Sequence, residues 1–150
     1  MSRTPGSDLG LPALDSLGML EATAGLADQV ATAAAAGAGV TGLPVREQIE
    51  NVVVLGMGGS GVAGDVLVGV AGPYLPVPVT VVKSYLPPAF VGPASLVFAV
   101  SFSGDTEETV EAAEEALAQQ GRLVVVTGGG RLEEMARRAE APLVRVPRDV

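Results

Sequence analysis

The sequence predicts an α/β domain built on a doubly wound, five-stranded parallel sheet in the order 2-1-3-4-5. Three observations carry that expectation. Five short runs rich in Val and Leu are separated by helix-patterned or long crossing segments, the pattern of strands joined by crossovers. Apolar residues make up 48% of the chain but aromatics only 3%. The core must therefore be Val, Leu and Ala, which suits a sheet buried on both faces. Two of the apolar runs also end in Gly- and Ser-rich turns that lead directly into helix-patterned segments.

Taken in order, residues Met1–Gly10 are rich in Ser, Gly and Pro and are expected to fray. From Pro12 to Ala36 the pattern is helical, with Leu14, Leu17, Leu20, Leu26 and Val30 among alanines. Gly25 and Gly37-Ala38-Gly39 interrupt or end it. This reads as an N-terminal helical arm packing on the domain or on a partner chain. Val45–Glu50 is a short helical or turn lead-in. A strand at Asn51–Gly56 precedes a helix at Ser60–Val70 and a strand at Val77–Val82. A loop through Pro87-Pro88 and Pro93 reaches the strand Ser95–Ser101. The helix Thr106–Gln120 stops at Gly121, with Val110, Ala113 and Leu117 inward and Glu107, Glu111, Glu114 and Glu115 outward. Arg122–Thr127 is the fourth strand, Leu132–Ala139 a helix opened by Gly128-Gly129-Gly130, and Leu143–Val146 the fifth strand. The domain division is 1–44 for tail and arm and 45–150 for the α/β domain.

Composition narrows the function. A net charge of −8 and a pI near 4.4 argue against nucleic acid or an anionic membrane as partner. The chain has no Cys and no His, which removes disulfides, thiol nucleophiles and the commonest metal ligand. No metal site is expected. No signal peptide or membrane span is read from the apolar segments, and the expected setting is the cytoplasm.

The chemistry lies in the turns. Gly56-Met57-Gly58-Gly59-Ser60-Gly61 follows Val52-Val53-Val54-Leu55, and Ser101-Phe102-Ser103-Gly104-Asp105-Thr106 follows Leu96-Val97-Phe98-Ala99-Val100. Each helix that follows offers unpaired N–H groups and the positive end of a dipole, which favours an anion. In the flavodoxin-like order, strands one and three are neighbours at the topological switch, so both loops face one crevice. Ser101 and Ser103 alternate about Phe102, which puts both hydroxyls on one side and turns Phe102 into the protein. Thr106 is the N-cap type residue. The pattern points to a small phosphorylated ligand.

Other readings stand beside it. Gly56–Gly61 satisfies G-x-G-x-x-G, so a Rossmann fragment is an alternative. Such a site wants an acidic residue about 20 residues on, where Val81-Val82-Lys83-Ser84-Tyr85 stands. Lys83 suits a 2′-phosphate, which makes NADP the version of that alternative to test. The Glu residues at 107, 108, 111, 114 and 115 read as a solvated helix face. Asp65 is open between an interior polar contact and a ligand contact. Thr127, before three glycines, is a third loop on the same rim.

Gly56–Asp65 (GMGGSGVAGD), Ala99–Thr109 (AVSFSGDTEET) and Thr127–Met135 (TGGGRLEEM) together resemble the sugar isomerase (SIS) domain. More narrowly they resemble the first SIS domain of the bifunctional phosphoglucose/phosphomannose isomerases, over about Asn51–Pro147. The resemblance implies that Ser101, Ser103 and Thr106 hold the phosphate and that Gly58, Gly59 and Ser60 form the sugar-binding loop. Lys83-Ser84-Tyr85 resembles the Lys/Arg-Asp-Tyr end of the second strand, with Ser84 in place of the Asp. The family usually has Asn where Asp105 stands, and an anion facing a phosphate would oppose binding.

The function so implied is the sugar-phosphate-binding half of an aldose–ketose isomerase. It would interconvert glucose 6-phosphate or mannose 6-phosphate with fructose 6-phosphate without cofactor or metal. The resemblance also implies a homodimer with a hexose 6-phosphate as its ligand. Family enzymes resemble two SIS domains in one chain. Their proton-transferring Glu, ring-opening His, Lys and substrate-binding Arg correspond to sequence after Val150, so no catalytic residue maps here. The alternative is a stand-alone SIS module that binds or senses a sugar phosphate.

Overall fold

A computed structural model describes residues 18–147. Its centre is a sheet of five parallel strands in the order β2-β1-β3-β4-β5. The strands are β1 (Asn51–Leu55), β2 (Val79–Val82), β3 (Ser95–Ser101), β4 (Arg122–Thr127) and β5 (Leu143–Arg145). Five helices accompany them: α1 (Met19–Ala24), α2 (Leu26–Ala38), α3 (Gly58–Ala71), α4 (Glu107–Ala118) and α5 (Gly130–Arg138).

The register sets where the loops emerge. Leu55 at the end of β1 lies opposite Ala99 of β3, and Ser101 at the end of β3 lies opposite Thr127 of β4. The chain therefore leaves β1, β3 and β4 on one edge of the sheet. That edge carries the strands' C-terminal ends, where open α/β sheets bind ligands.

The two faces differ. On one, Val53, Leu55, Val97, Ala99 and Val125 pack against Val110, Ala113 and Ala116 of α4 and Leu132, Met135 and Ala136 of α5. Those side chains are almost completely buried, and this is the main core. Val110 and Ala113 point inward and Glu107, Glu111, Glu114 and Glu115 outward, as their spacing predicts. On the other face α3 lies close over β1 and β2. A Cβ on Gly64 would come within 2.9 Å of Val81 and 3.0 Å of Val54, so helix and sheet approach to a distance that only glycine permits.

Element boundaries shift for identifiable reasons. β2 begins at Val79 instead of Val77, because Pro78 has no N–H to give the ladder and contributes only its carbonyl to Val52. α3 starts inside the glycine run, at Gly58 instead of Ser60, which makes Gly58 and Gly59 first-turn residues. α4 stops at Ala118, and Gln120, with φ of 66°, takes the left-handed position that ends it. The expected arm is two helices with a break at Gly25. Leu14 and Leu17 lie outside the described residues. Leu20, Leu26 and Val30 are more than half exposed or close to it, while Ala33 and Ala36 face Val126 and Val144 across a gap of about 430 Å³. Among the described residues no helix is long and apolar enough to cross a membrane.

Candidate functional site

The loop from β3 to α4 gathers three hydroxyls. Ser101 Oγ lies 2.8 Å from Thr106 Oγ1 and 3.4 Å from Ser103 Oγ. Two backbone amides fix the turn: Gly104 N–H donates to Ser101 Oγ at 3.2 Å, and Asp105 N–H donates to Ser103 Oγ at 3.2 Å. Ser101 is almost wholly buried, Thr106 half-buried and Ser103 exposed. The hydroxyls thus form a graded cluster, with Ser101 as its inner support and Ser103 on its open side. Thr106 is the N-cap of α4 in extended geometry, and its own side chain does not cap the helix. The first-turn N–H groups of α4 are therefore not satisfied by that side chain, which suits an anion.

The glycine loop from β1 to α3 stands beside it. Gly56 packs so closely on β3 that a Cβ there would be 3.1 Å from the Val100 carbonyl oxygen. Met57 is the N-cap of α3, again without a side-chain cap. Gly58 has φ of 51°, and a Cβ on either Gly58 or Gly59 would meet nothing within 4 Å. Gly58 and Gly59 are exposed and Ser60 is half-buried. The bare backbone at Gly59 is thus not demanded by packing within the chain, whereas a ligand approaching the helix start would demand it.

Each of the other three rim residues has its polar group engaged within the chain. Lys83 Nζ forms an ion pair of 2.6 Å with Asp65 Oδ2, both groups being about half exposed. Thr127 is buried, and its hydroxyl donates to the Gly129 carbonyl at 2.8 Å and accepts from Gly129 N–H at 3.2 Å. Asp105 Oδ1 accepts the Arg131 N–H at 3.0 Å, so this carboxylate caps the first turn of α5.

One sequence expectation fails here, and one contact leaves no sequence signal. Phe102 is 53% exposed and does not turn into the protein. Side-chain alternation holds only along an extended strand, and β3 ends at Ser101. Beyond it, the Phe102 carbonyl accepts the Gly128 N–H and the backbone turns over. Tyr85, past the end of β2, stands against the first turns of α4. Its phenol is held above its ordinary range first by the Glu108 carboxylate, then by partial desolvation, then by Glu107 and Glu111.

The larger hollows lie away from these loops. One of about 700 Å³ runs between the end of α2 and β5, past Ala36, Val40 and Leu143. Another of about 560 Å³, past Leu43, Leu75, Leu96 and Phe98, opens on the α3 face. Neither brings hydroxyls and helix starts together. Among the described residues no three acidic side chains converge as a metal site requires.

Comparison with known proteins adds the following. The chain is 33% identical over 129 residues to the bifunctional phosphoglucose/phosphomannose isomerase of Caldicellulosiruptor bescii, covering 86% of this chain and 38% of that protein. It is 46% identical over 85 residues to the Thermoplasma acidophilum protein of the same name, covering 57% of this chain and 26% of that one. The chain thus spans well under half the length of these relatives. In fold it is similar to the Vibrio vulnificus NanR protein complexed with ManNAc-6P. That likeness has a TM-score of 0.57 at 18% identity, over 85% of this chain and 51% of that one. The SIS domain family matches residues 47–143, a span that holds β1 to β4, the glycine loop and the hydroxyl loop and reaches the start of β5, and the chain therefore belongs to the SIS domain family.

Proposed function

We propose that the chain is the phosphate-binding half of an isomerase that interconverts glucose 6-phosphate or mannose 6-phosphate with fructose 6-phosphate. The observation that supports it best is the hydroxyl cluster of Ser101, Ser103 and Thr106 at an uncapped helix start, beside a second uncapped start at Gly58. In this reading the phosphate is held by Ser103, Thr106 and the first-turn N–H groups of α4, with Ser101 supporting the hydroxyls from beneath. Gly58, Gly59 and Ser60 receive the sugar. Proton transfer between C1 and C2 through a cis-enediol then needs a carboxylate at those carbons. We assign that base to sequence outside this chain, as the names and greater lengths of the relatives suggest. The partner is a hexose 6-phosphate and the setting the cytoplasm. Val62, Val66 and Val70, exposed along one side of α3, are the surface on which the expected homodimer would form.

A stand-alone sugar-phosphate-binding module is the second reading, favoured by the likeness in fold to a protein complexed with ManNAc-6P. An NADP site has less in its favour, because the Lys83 ammonium meant for the 2′-phosphate is paired with Asp65.

Calorimetric titration with fructose 6-phosphate and with fructose tests the shared premise. Fructose 6-phosphate should bind, fructose should not, and Ser103→Ala with Thr106→Val should remove binding. Each hydroxyl lost takes away a charge-assisted hydrogen bond worth about 1.5–3 kcal/mol. Unchanged affinity in the double variant would sink the phosphate-loop assignment.

A further inference from the structure

We infer that Asp105 is the positioning residue of the hydroxyl loop: its carboxylate fastens residues 101–106 to the first turn of α5, so the anion site is formed before ligand arrives. The inference rests on the phosphate reading of that loop. The two loops touch along their whole length. Gly128 N–H donates to the Phe102 carbonyl at 3.0 Å and Leu132 N–H to the Gly104 carbonyl at 3.0 Å. Arg131 N–H donates to Asp105 Oδ1 at 3.0 Å. Gly104, at φ of 77°, lies so close to the second loop that a Cβ on it would sit 1.7 Å from the Gly129 carbonyl oxygen. A Cβ on Gly130 would be 2.6 Å from the Ser103 carbonyl oxygen and 2.7 Å from Asp105 Oδ1.

Among these fastenings Asp105 supplies the one made by a side chain, reaching from the β3–α4 loop to a helix that starts 25 residues later in the chain. Its neighbours in sequence are the groups that matter: Ser103, whose hydroxyl accepts the Asp105 N–H, and Thr106, which stands at the N-cap position of α4 with its hydroxyl turned to Ser101. A carboxylate at a helix N-terminus is held by both its hydrogen bond and the dipole. Turning that charge toward α5 also answers how an anion can stand in a loop that receives another anion. The carboxylate neutralises the start of α5 and closes that terminus as a phosphate site, leaving the starts of α3 and α4. An Asn would offer the same acceptor oxygen to Arg131 without the charge. An Ala would offer nothing.

The test uses the 150-residue chain and three variants, with amide hydrogen exchange and fructose 6-phosphate titration run well below each melting temperature. Asp105→Ala should raise exchange in 101–106 and 128–132 together and weaken binding at least about tenfold, the size of a lost charged hydrogen bond. Asp105→Asn should keep both within about threefold of the parent. Where Asp105→Ala is unfolded at the assay temperature, Asp105→Ser replaces it, since its hydroxyl falls short of the Arg131 N–H. Binding by the Ala or Ser variant at parental affinity would overturn the inference, as would an Asn variant as weak as the Ala variant. Failure of the parent itself to bind fructose 6-phosphate overturns the phosphate reading and the inference with it. It differs from a failure of Asp105 alone, in which the parent binds and the variants bind equally well.

Discussion

Lys83 reaches from the end of β2 across Gly61 and closes an ion pair of 2.6 Å with Asp65, one turn further along α3. A Cβ on Gly61 would lie 2.9 Å from Lys83 Cε and 2.7 Å from the Gly56 carbonyl oxygen. The lysine stem could shift, but the carbonyl belongs to the turn out of β1 and cannot. Gly61→Ala should therefore destabilise the domain by about 1–3 kcal/mol through overpacking. Both charged groups are about half exposed, so Asp65→Asn should cost less than about 1 kcal/mol. Urea unfolding followed by circular dichroism compares the two, and a larger loss for Asp65→Asn would show that the charge holds this corner and the close packing does not.

Gly59 gives the opposite expectation. It is exposed, lies in the first turn of α3, and has open space where a Cβ would be. Gly59→Ala should leave stability unchanged or raise it by up to about 1 kcal/mol of helix propensity, read as an unchanged or higher melting temperature. The added methyl would stand where we propose that the sugar meets the helix start, and affinity for fructose 6-phosphate should fall by about tenfold or more. Stability and affinity thus move apart, which a purely structural glycine does not allow. An Ala variant that binds normally would remove Gly59 from the site.

What was legible beforehand follows from how far each signal reaches along the chain. β3 and β4 were read to the residue, because Val-rich runs flanked by Gly, Pro and Ser have few other solutions. From the strands and right-handed crossovers the order 2-1-3-4-5 followed, and with it the meeting of the two loops. Signals that depend on contact across the chain were not legible. Asp105 reads locally as part of a turn, and nothing near it in sequence says that Arg131, 26 residues away, supplies its partner. Phe102 was assigned by alternation, which fails one residue past the strand. The same holds for Tyr85, whose carboxylate neighbours lie on a helix beyond the next strand.

Tyr85 supplies a prediction in pH. Glu108, partial desolvation, Glu107 and Glu111 all raise its phenol above the ordinary value of 10.0. Replacing Glu108 with Gln removes the largest of these, so Tyr85 should ionise at lower pH in that variant. Ultraviolet difference absorbance in a Tyr74→Phe background reads Tyr85 alone. A raised phenol favours the folded state's protonated form, so its contribution is intact below the unfolded value near 10 and is lost as pH rises through the folded one. An identical titration in the Glu108→Gln variant would show that the two side chains do not interact.

The last prediction concerns turnover: the 150-residue chain should bind hexose phosphates without isomerising them. Abstraction at C2 needs a base within hydrogen-bond reach of that carbon, with a pKa matched to the task. The chain has no His. Of the carboxylates near the loops, Asp65 is paired with Lys83 and Asp105 with the Arg131 N–H. Glu107 and Glu111 are exposed on α4. Positioning the sugar lowers the entropic barrier but cannot replace the missing proton acceptor. A coupled assay following fructose 6-phosphate to glucose 6-phosphate, run on this chain and on the Caldicellulosiruptor bescii relative, should show turnover by the relative alone. Turnover by this chain near the relative's rate would place the base here. Half-buried Glu108, beside Tyr85 and two residues past Thr106, would then be the first to replace with Gln.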